Sequence, residues 1–205
     1  MTLELEQLAH AAAHAIAARA CTIRRAVADD AEALAAFGAR TFLDTYHDFS
    51  AENFALHLAR TYGAAQQARE IGDPSVATYL AHGGGALAGF AQVRRGPALP
   101  CVSGPAPVEL HRLYVERAWH GRGVAQRLLA AVCEAAVAFG GATLWLKVWE
   151  RNTRAIAFYA KCGFVDVGET GFLVGNDATT DRVLSLQLHR VVRGKPIPSS
   201  TRTGE

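Results

Sequence analysis

Between Glu109 and Gly163 the chain runs as strand, glycine loop, long helix, strand and short asparagine-led helix, a succession that leaves few folds open. The loop His120-Gly121-Arg122-Gly123-Val124-Ala125 opens straight into an apolar-periodic helix, Ala125–Phe139. Glycines at 121 and 123 admit positive φ and let a ligand approach the backbone with no Cβ in the way. Unpaired amides then point out of the helix N-terminus, where the dipole favours an anion. The segment predicts a pyrophosphate site. Strands Glu109–Val115 and Thr143–Val148 flank the helix, giving one βαβ unit and a parallel pair with a right-handed crossover.

Two familiar pyrophosphate loops fit poorly. A dinucleotide fingerprint wants a third Gly or Ala where Gln126 stands, and a much tighter strand-to-helix turn than Val115 to Gly121. It also wants an acidic residue about 20 residues on; Glu150 falls later and has Asn152 beside it. A P-loop needs Gly-Lys-Ser/Thr, and no lysine lies near.

The second strand and the helix after it are more distinctive. Val148 through Phe164, with its Asn-x-x-Ala-x-x-Phe-Tyr-x-x-x-Gly-Phe core at Asn152, Ala155, Phe158, Tyr159, Gly163 and Phe164, resembles the strand-to-helix signature of the GNAT N-acetyltransferase superfamily. The glycine loop resembles that superfamily's Arg/Gln-x-x-Gly-x-Gly/Ala loop, with His120 standing where Arg or Gln is usual. The resemblance covers residues 22–188. Within the superfamily the chain looks most like bacterial spermidine/spermine N-acetyltransferases. Leu144–Glu150, Phe172–Asp177 and Thr180-Asp181 carry that narrower likeness, with weaker support from Phe42–Tyr46 and Glu52–Phe54.

The resemblance implies an α/β (α+β) fold: a mixed central sheet of six to seven strands flanked by helices, with two splayed parallel strands at the cofactor site. Acetyl-CoA would be the cosubstrate, with no metal. Its pantetheine arm would lie along the first splayed strand at Leu113, Tyr114 and Val115, bonding to free backbone groups of Leu113 and Val115. Its pyrophosphate would sit on His120, Gly121, Arg122, Gly123, Val124, Ala125 and Gln126. Asn152, Ala155, Phe158 and Tyr159 would complete the cofactor site. Asn152 is also placed to cap its helix, and both roles are compatible.

Acetyl transfer needs few protein groups. A neutral amine attacks the thioester, an oxyanion forms and a thiolate leaves. Alkyl amines titrate at about pH 10, so a base or proton path must take the proton at neutral pH. By resemblance Glu109 is the first candidate, with a structural or acceptor-binding carboxylate, or one acting through water, as the alternatives. His111, two residues along on the same face of its strand, is the reserve base, or a core histidine. Tyr159 would protonate the departing thiolate; packing is the alternative. A backbone amide of the first splayed strand would hold the oxyanion. Acceptor recognition falls to the first two helices. There Asp44, Asp48 and Glu52 offer charge for a polyamine, and Tyr46, Phe49 and Trp149 an aromatic wall. A solvated face and ordinary packing account for the same residues.

The expected function is therefore transfer of an acetyl group to a primary amine of a small molecule, a polyamine first among them. Antibiotic amines, amino-acid derivatives, protein N-termini and a non-catalytic acetyl-CoA-binding module stand as alternatives, and a homodimer is left open. With 205 residues and a formal charge of +2, no basic stripe interleaved with aromatics appears, which argues against nucleic acid. Cys21, Cys101, Cys133 and Cys162 are scattered and read as reduced cytoplasmic thiols. No stretch is long enough to span a membrane.

Three segments are expected: a helical extension (1–21), the acetyltransferase domain (22–189) and a flexible tail (190–205). The Ala-rich run 8–20 lacks a basic n-region and reads as a helix rather than an export signal; its His10 and His14 read as a polar stripe rather than metal ligands. Strands are expected at Thr22–Ala26, Val76–Ala81, Ala86–Val93, Phe164–Val167 and Arg182–Leu188. Helices are expected from the Asp29/Glu32 start signal to Tyr46, and from Ser50 to Tyr62.

Overall fold

The computed structural model describes residues 21–46 and 50–188; the N-terminal extension, the C-terminal tail, and Asp48 and Phe49 lie outside them. Seven strands form one sheet: β1 (Thr22–Arg25), β2 (Val76–Gly83), β3 (Ala86–Arg94), β4 (Pro107–Val115), β5 (Thr143–Trp149), β6 (Val165–Val174) and β7 (Asp177–Gln187). Their order is β1-β2-β3-β4-β5-β7-β6, and β4–β5 is the parallel pair in an otherwise antiparallel sheet. The mixed sheet expected from the sequence is present. The β2–β3 turn is the two-residue Gly84-Gly85, with φ of 60° and 81°, conformations that exclude most side chains.

Five helices cover the sheet. On one face lie α1 (Ala31–Thr45), α2 (Ala51–Thr61) and α3 (Ala64–Gly72), whose apolar residues Leu34, Phe37, Leu58 and Ile71 pack with Leu80 and Phe90. On the other, α4 (Val124–Ala138) and α5 (Thr153–Lys161) bury Leu128, Leu129, Val132 and Tyr159 against Leu110, Leu144 and Leu146. Strand alternation explains the split: along β5, Leu144, Leu146 and Val148 serve the second core, while Trp149 serves the first.

The structure departs from the sequence expectations in three places. Helix α3 occupies a stretch that carried no assignment; it is polar, and its buried residue is Gln67. Helix α1 is entered through a short 3-10 turn, Ala28–Asp30, in which Asp30 rather than Asp29 accepts from the Val27 amide at 2.8 Å. The last hairpin is far longer than two short strands. Gly168, at a register shift, and Gly171 interrupt its pattern without ending β6. Asn53 of α2 accepts from the Asn176 amide at 2.9 Å, pinning that hairpin's turn to the helical face.

Candidate active site

Parallel pairing of β4 with β5 runs from Pro107/Thr143 to Leu110/Leu146 and stops there, although both strands continue. On its other edge β4 slips register against β3: Val93 faces Leu110 and Gln92 faces Arg112, leaving His111 as the extra residue. A β-bulge of this kind kinks its strand and re-aims a side chain. The bulge therefore sits where the parallel strands part. Beyond it opens a cleft lined among others by His111, Leu113, Lys147, Asn152, Ala155 and Tyr159.

The glycine loop is built as expected. Gly121 and Gly123 have φ of 73° and 76°. A Cβ at either would meet no protein atom within 4 Å, so it is the positive φ and not crowding that calls for glycine here. The first helical hydrogen bond of α4 runs from the Arg127 amide to Gly123 O at 3.1 Å. The amides of Val124, Ala125 and Gln126 thus have no intrahelical acceptor. The Val124 side chain is core, so its contribution there is limited to the backbone.

His120 does something different from the expected phosphate contact. Its Nε2 lies 2.9 Å from the Val115 carbonyl, so Nε2 carries the hydrogen and donates. Nδ1 is then an acceptor for the Arg154 guanidinium of α5. Burial lowers the His120 pKa, consistent with a neutral ring. His120 braces α5 to the end of β4. The Val115 carbonyl therefore already accepts one hydrogen bond and keeps one lone pair for a second donor.

Asn152 caps α5, its Oδ1 accepting from the Ala155 amide at 3.1 Å, and it lines the cleft with no partner for its amide nitrogen among the described residues. The Tyr114 ring faces away from α4, stacked on Phe90 with centroids 5.6 Å apart, and its hydroxyl accepts from Tyr62 at 3.3 Å. Phe158 and Ala155 pack against the α4-side core. Tyr159 is wedged between Phe158 and Phe164, with centroids 5.2 and 5.4 Å away. Among the described residues its hydroxyl has no hydrogen-bond partner, and it lines the cleft. Burial raises its pKa well above the usual phenol range, so the phenol keeps its proton.

Glu109 and His111 are brought together, but in unequal roles. The Glu109 carboxylate is 7% exposed, receives Arg94 Nε at 2.7 Å and does not line the cleft. Burial alone would raise its pKa; His111 and Arg94 outweigh that and take it down to about 2. A carboxylate so held is a weak base. Its other oxygen faces His111 Nδ1 at 3.5 Å, and neither atom has a closer polar partner among the described residues. His111 does line the cleft, and burial lowers its pKa, leaving a neutral imidazole at neutral pH.

Of the residues expected to meet a polyamine, Asp48 and Phe49 lie outside the described residues, and Tyr46 and Trp149 line the cleft. Asp44 and Glu52 are exposed to solvent. Tyr46 and Trp149 stack on each other, centroids 5.0 Å apart, and are 8% and 4% exposed; Trp149 Nε1 donates to Thr179 Oγ1 at 2.8 Å. They pack on each other and also form part of the cleft wall. Three residues with no role expected from the sequence matter here: Arg94, Arg154 and Lys147. Lys147 stands at every-second-residue spacing between Trp145 and Trp149 on the acceptor side of β5, a signal that alternation alone supplies.

Behind Lys147, Asp181 on β7 is 4% exposed and its Oδ1 lacks a partner among the described residues. Burial and, to a lesser degree, Glu150 raise its pKa to about 6 against the pull of Lys147. A folded-state pKa above the unfolded value means the native state holds the extra proton between about pH 4 and 6, so stability falls as pH rises through that window. Asp181→Asn should therefore gain on wild type with rising pH, reaching a benefit on the order of 2 kcal/mol by about pH 7.5. Thermal melts at about pH 4.5 and 7.5 check this; an equal difference at both would show that Asp181 does not titrate there.

Known proteins share this fold. The family model described as Acetyltransferase (GNAT) family matches residues 42–164. The chain belongs to the GNAT family. It is an N-acetyltransferase, with acetyl-CoA as the donor that family uses. An uncharacterised N-acetyltransferase of Mycobacterium bovis is 34% identical over 78% of this chain and 98% of its own length. Another, from Lactobacillus delbrueckii subsp. lactis, is 30% identical over 75% of this chain and 89% of its own. The PaiA N-acetyltransferase of Thermoplasma acidophilum, solved with coenzyme A, superposes with a TM-score of 0.66 at 20% identity, covering 82% of this chain and 98% of that one. Among the described residues no helix is long and apolar enough to cross a membrane, and no three His, Cys, Asp or Glu side chains cluster to hold a metal.

Proposed function

We propose that this GNAT enzyme acetylates a primary amine of a small molecule by direct attack in a ternary complex, with His111 as general base and Tyr159 as general acid. The observation that carries the reading is the cleft where β4 and β5 part. It gathers a neutral imidazole from one strand and a protonated, unpartnered phenol from α5. Glu109, the base first expected, becomes the positioning residue that orients the imidazole through Nδ1. Acetyl-CoA would take its pyrophosphate on the amides of Gly121–Gln126 and its pantetheine along Leu113 and Asn152. A β4 amide near the bulge would hold the oxyanion.

In this reading the amine loses its proton to His111 as its nitrogen bonds to the thioester carbon. The oxyanion then collapses, the carbon–sulfur bond breaks, and Tyr159 gives its proton to the sulfur. The four cysteines are free thiols, which supports a reducing, cytoplasmic setting. Spermidine and spermine remain acceptors to test, but the described cleft wall offers them no carboxylate.

Acetyl-CoA should raise the melting temperature by several degrees at concentrations well above its Kd, while NAD and ATP do not. The loop amides alone would accept any pyrophosphate; only pantetheine also uses the parted strands and Asn152. Equal shifts from ATP and acetyl-CoA would sink the cofactor assignment. A thiol-release assay over a panel of amines then separates an enzyme from a silent acetyl-CoA-binding module.

A further inference from the structure

Lys147 is a cation of the cleft wall that no side chain pairs with directly among the described residues. Arg112 is tied to Glu70 at 2.5 Å and to Gln92 at 2.8 Å, and Arg94 to Glu109 at 2.7 Å. Lys147, half-buried in the cleft wall, makes no ion pair or hydrogen bond among the described residues. Asp181 lies near enough for its charge to be felt, yet it does not bond Lys147 and does not line the cleft. Nor does any other aspartate or glutamate among the described residues line it. A lysine with its stem in the cleft wall can turn its ammonium toward an anion that enters the cleft.

The register places this charge with respect to the reacting centre. Leu110 and Leu146 are the last paired residues of the two parallel strands. His111 and Lys147 are the next residue on each, so they lie on opposite sides of the split, and both line the cleft. An amine poised at His111 thus has a cation one strand away.

We infer that the acceptor is an amine carrying a carboxylate a few bonds from its nitrogen, an amino acid or close derivative, and that Lys147 binds that carboxylate. The inference rests on the acetyl-transfer reading and deepens it. On this inference a polycation is disfavoured, since a second ammonium would face Lys147 with no carboxylate among the described residues of the wall to offset it. The long lysine stem lets its ammonium follow acceptors of somewhat different length, while His111, fixed by its bulge, sets where the amine must be.

The test uses the full chain with acetyl-CoA and three matched acceptors of one carbon skeleton: an amino acid, its carboxamide and its decarboxylated amine, with spermidine beside them. Wild type should favour the carboxylate over the carboxamide at least about tenfold in kcat/KM. In Lys147→Met that ratio should collapse toward one, chiefly through a raised KM for the carboxylate, and Lys147→Arg should restore much of it. A wild type indifferent to the carboxylate, or one that prefers spermidine, overturns the inference while leaving the acetyltransferase intact. So does a protein that acetyl-CoA stabilises but that acetylates no carboxylated amine. Absence of both acetyl-CoA stabilisation and all turnover would instead fell the acetyl-transfer reading, and this inference with it.

Discussion

His111→Gln should lower kcat/KM for amine acetylation by about 10²- to 10⁴-fold at neutral pH, the range a positioned general base supplies. Glutamine keeps a polar side chain on the bulge but cannot accept a proton. The deficit should narrow as pH approaches about 10, where the amine is increasingly neutral without help. Acetyl-CoA binding, read from its thermal shift, should change little, because the loop amides and Asn152 are untouched. A variant as active as wild type across the pH series would return His111 to a packing role.

Glu109→Gln separates the two candidate bases. As a positioning residue, Glu109 raises the basicity of a ring that burial has lowered. Its loss should leave a weaker base with its acidic limb displaced to lower pH, and a smaller fall in activity than at His111. If Glu109 were the base despite its Arg94 ion pair, the order would invert. Glu109→Gln would then be the crippling substitution, rescued at high pH, and His111→Gln the mild one.

The inversion of these roles shows what a sequence does and does not carry. The βαβ unit, the glycine loop and the Asn152–Phe164 signature were legible because each is local: a turn, a cap and a helix face a few residues apart. The bulge was not. It exists because Gln92 and Val93 of a strand far upstream pair with Arg112 and Leu110 and skip the residue between. Glu109 looked like a free base until Arg94 arrived across the same strand pair. Helix α3 escaped notice because it turns a polar face to solvent and buries Gln67, whose Nε2 donates to the Thr61 carbonyl at 3.0 Å. Lys147 was visible as a letter in a motif. Its meaning comes from an absence of partners among the described residues, which no one-dimensional pattern records.

Tyr159→Phe should reduce kcat by roughly 10²-fold or more, in the range of a lost general acid, with much less effect on acetyl-CoA affinity. The ring is held by Phe158 and Phe164 and packs against the α4-side core, so phenylalanine keeps those contacts and deletes one hydroxyl. That hydroxyl bonds nothing in the described protein, so its removal leaves no buried partner stranded and stability should hold. Its raised pKa is what the role needs: the proton stays on oxygen until a thiolate forms beside it. An interaction made only as the carbon–sulfur bond breaks is lost from kcat and not from ground-state binding. The measurement is single-turnover acetyl transfer, which isolates the chemical step, with acetyl-CoA affinity measured in parallel. If Tyr159→Phe weakens acetyl-CoA binding as much as it slows the chemical step, the hydroxyl is a binding contact and proton donation must come from solvent. If neither changes, the ring is there for the core alone.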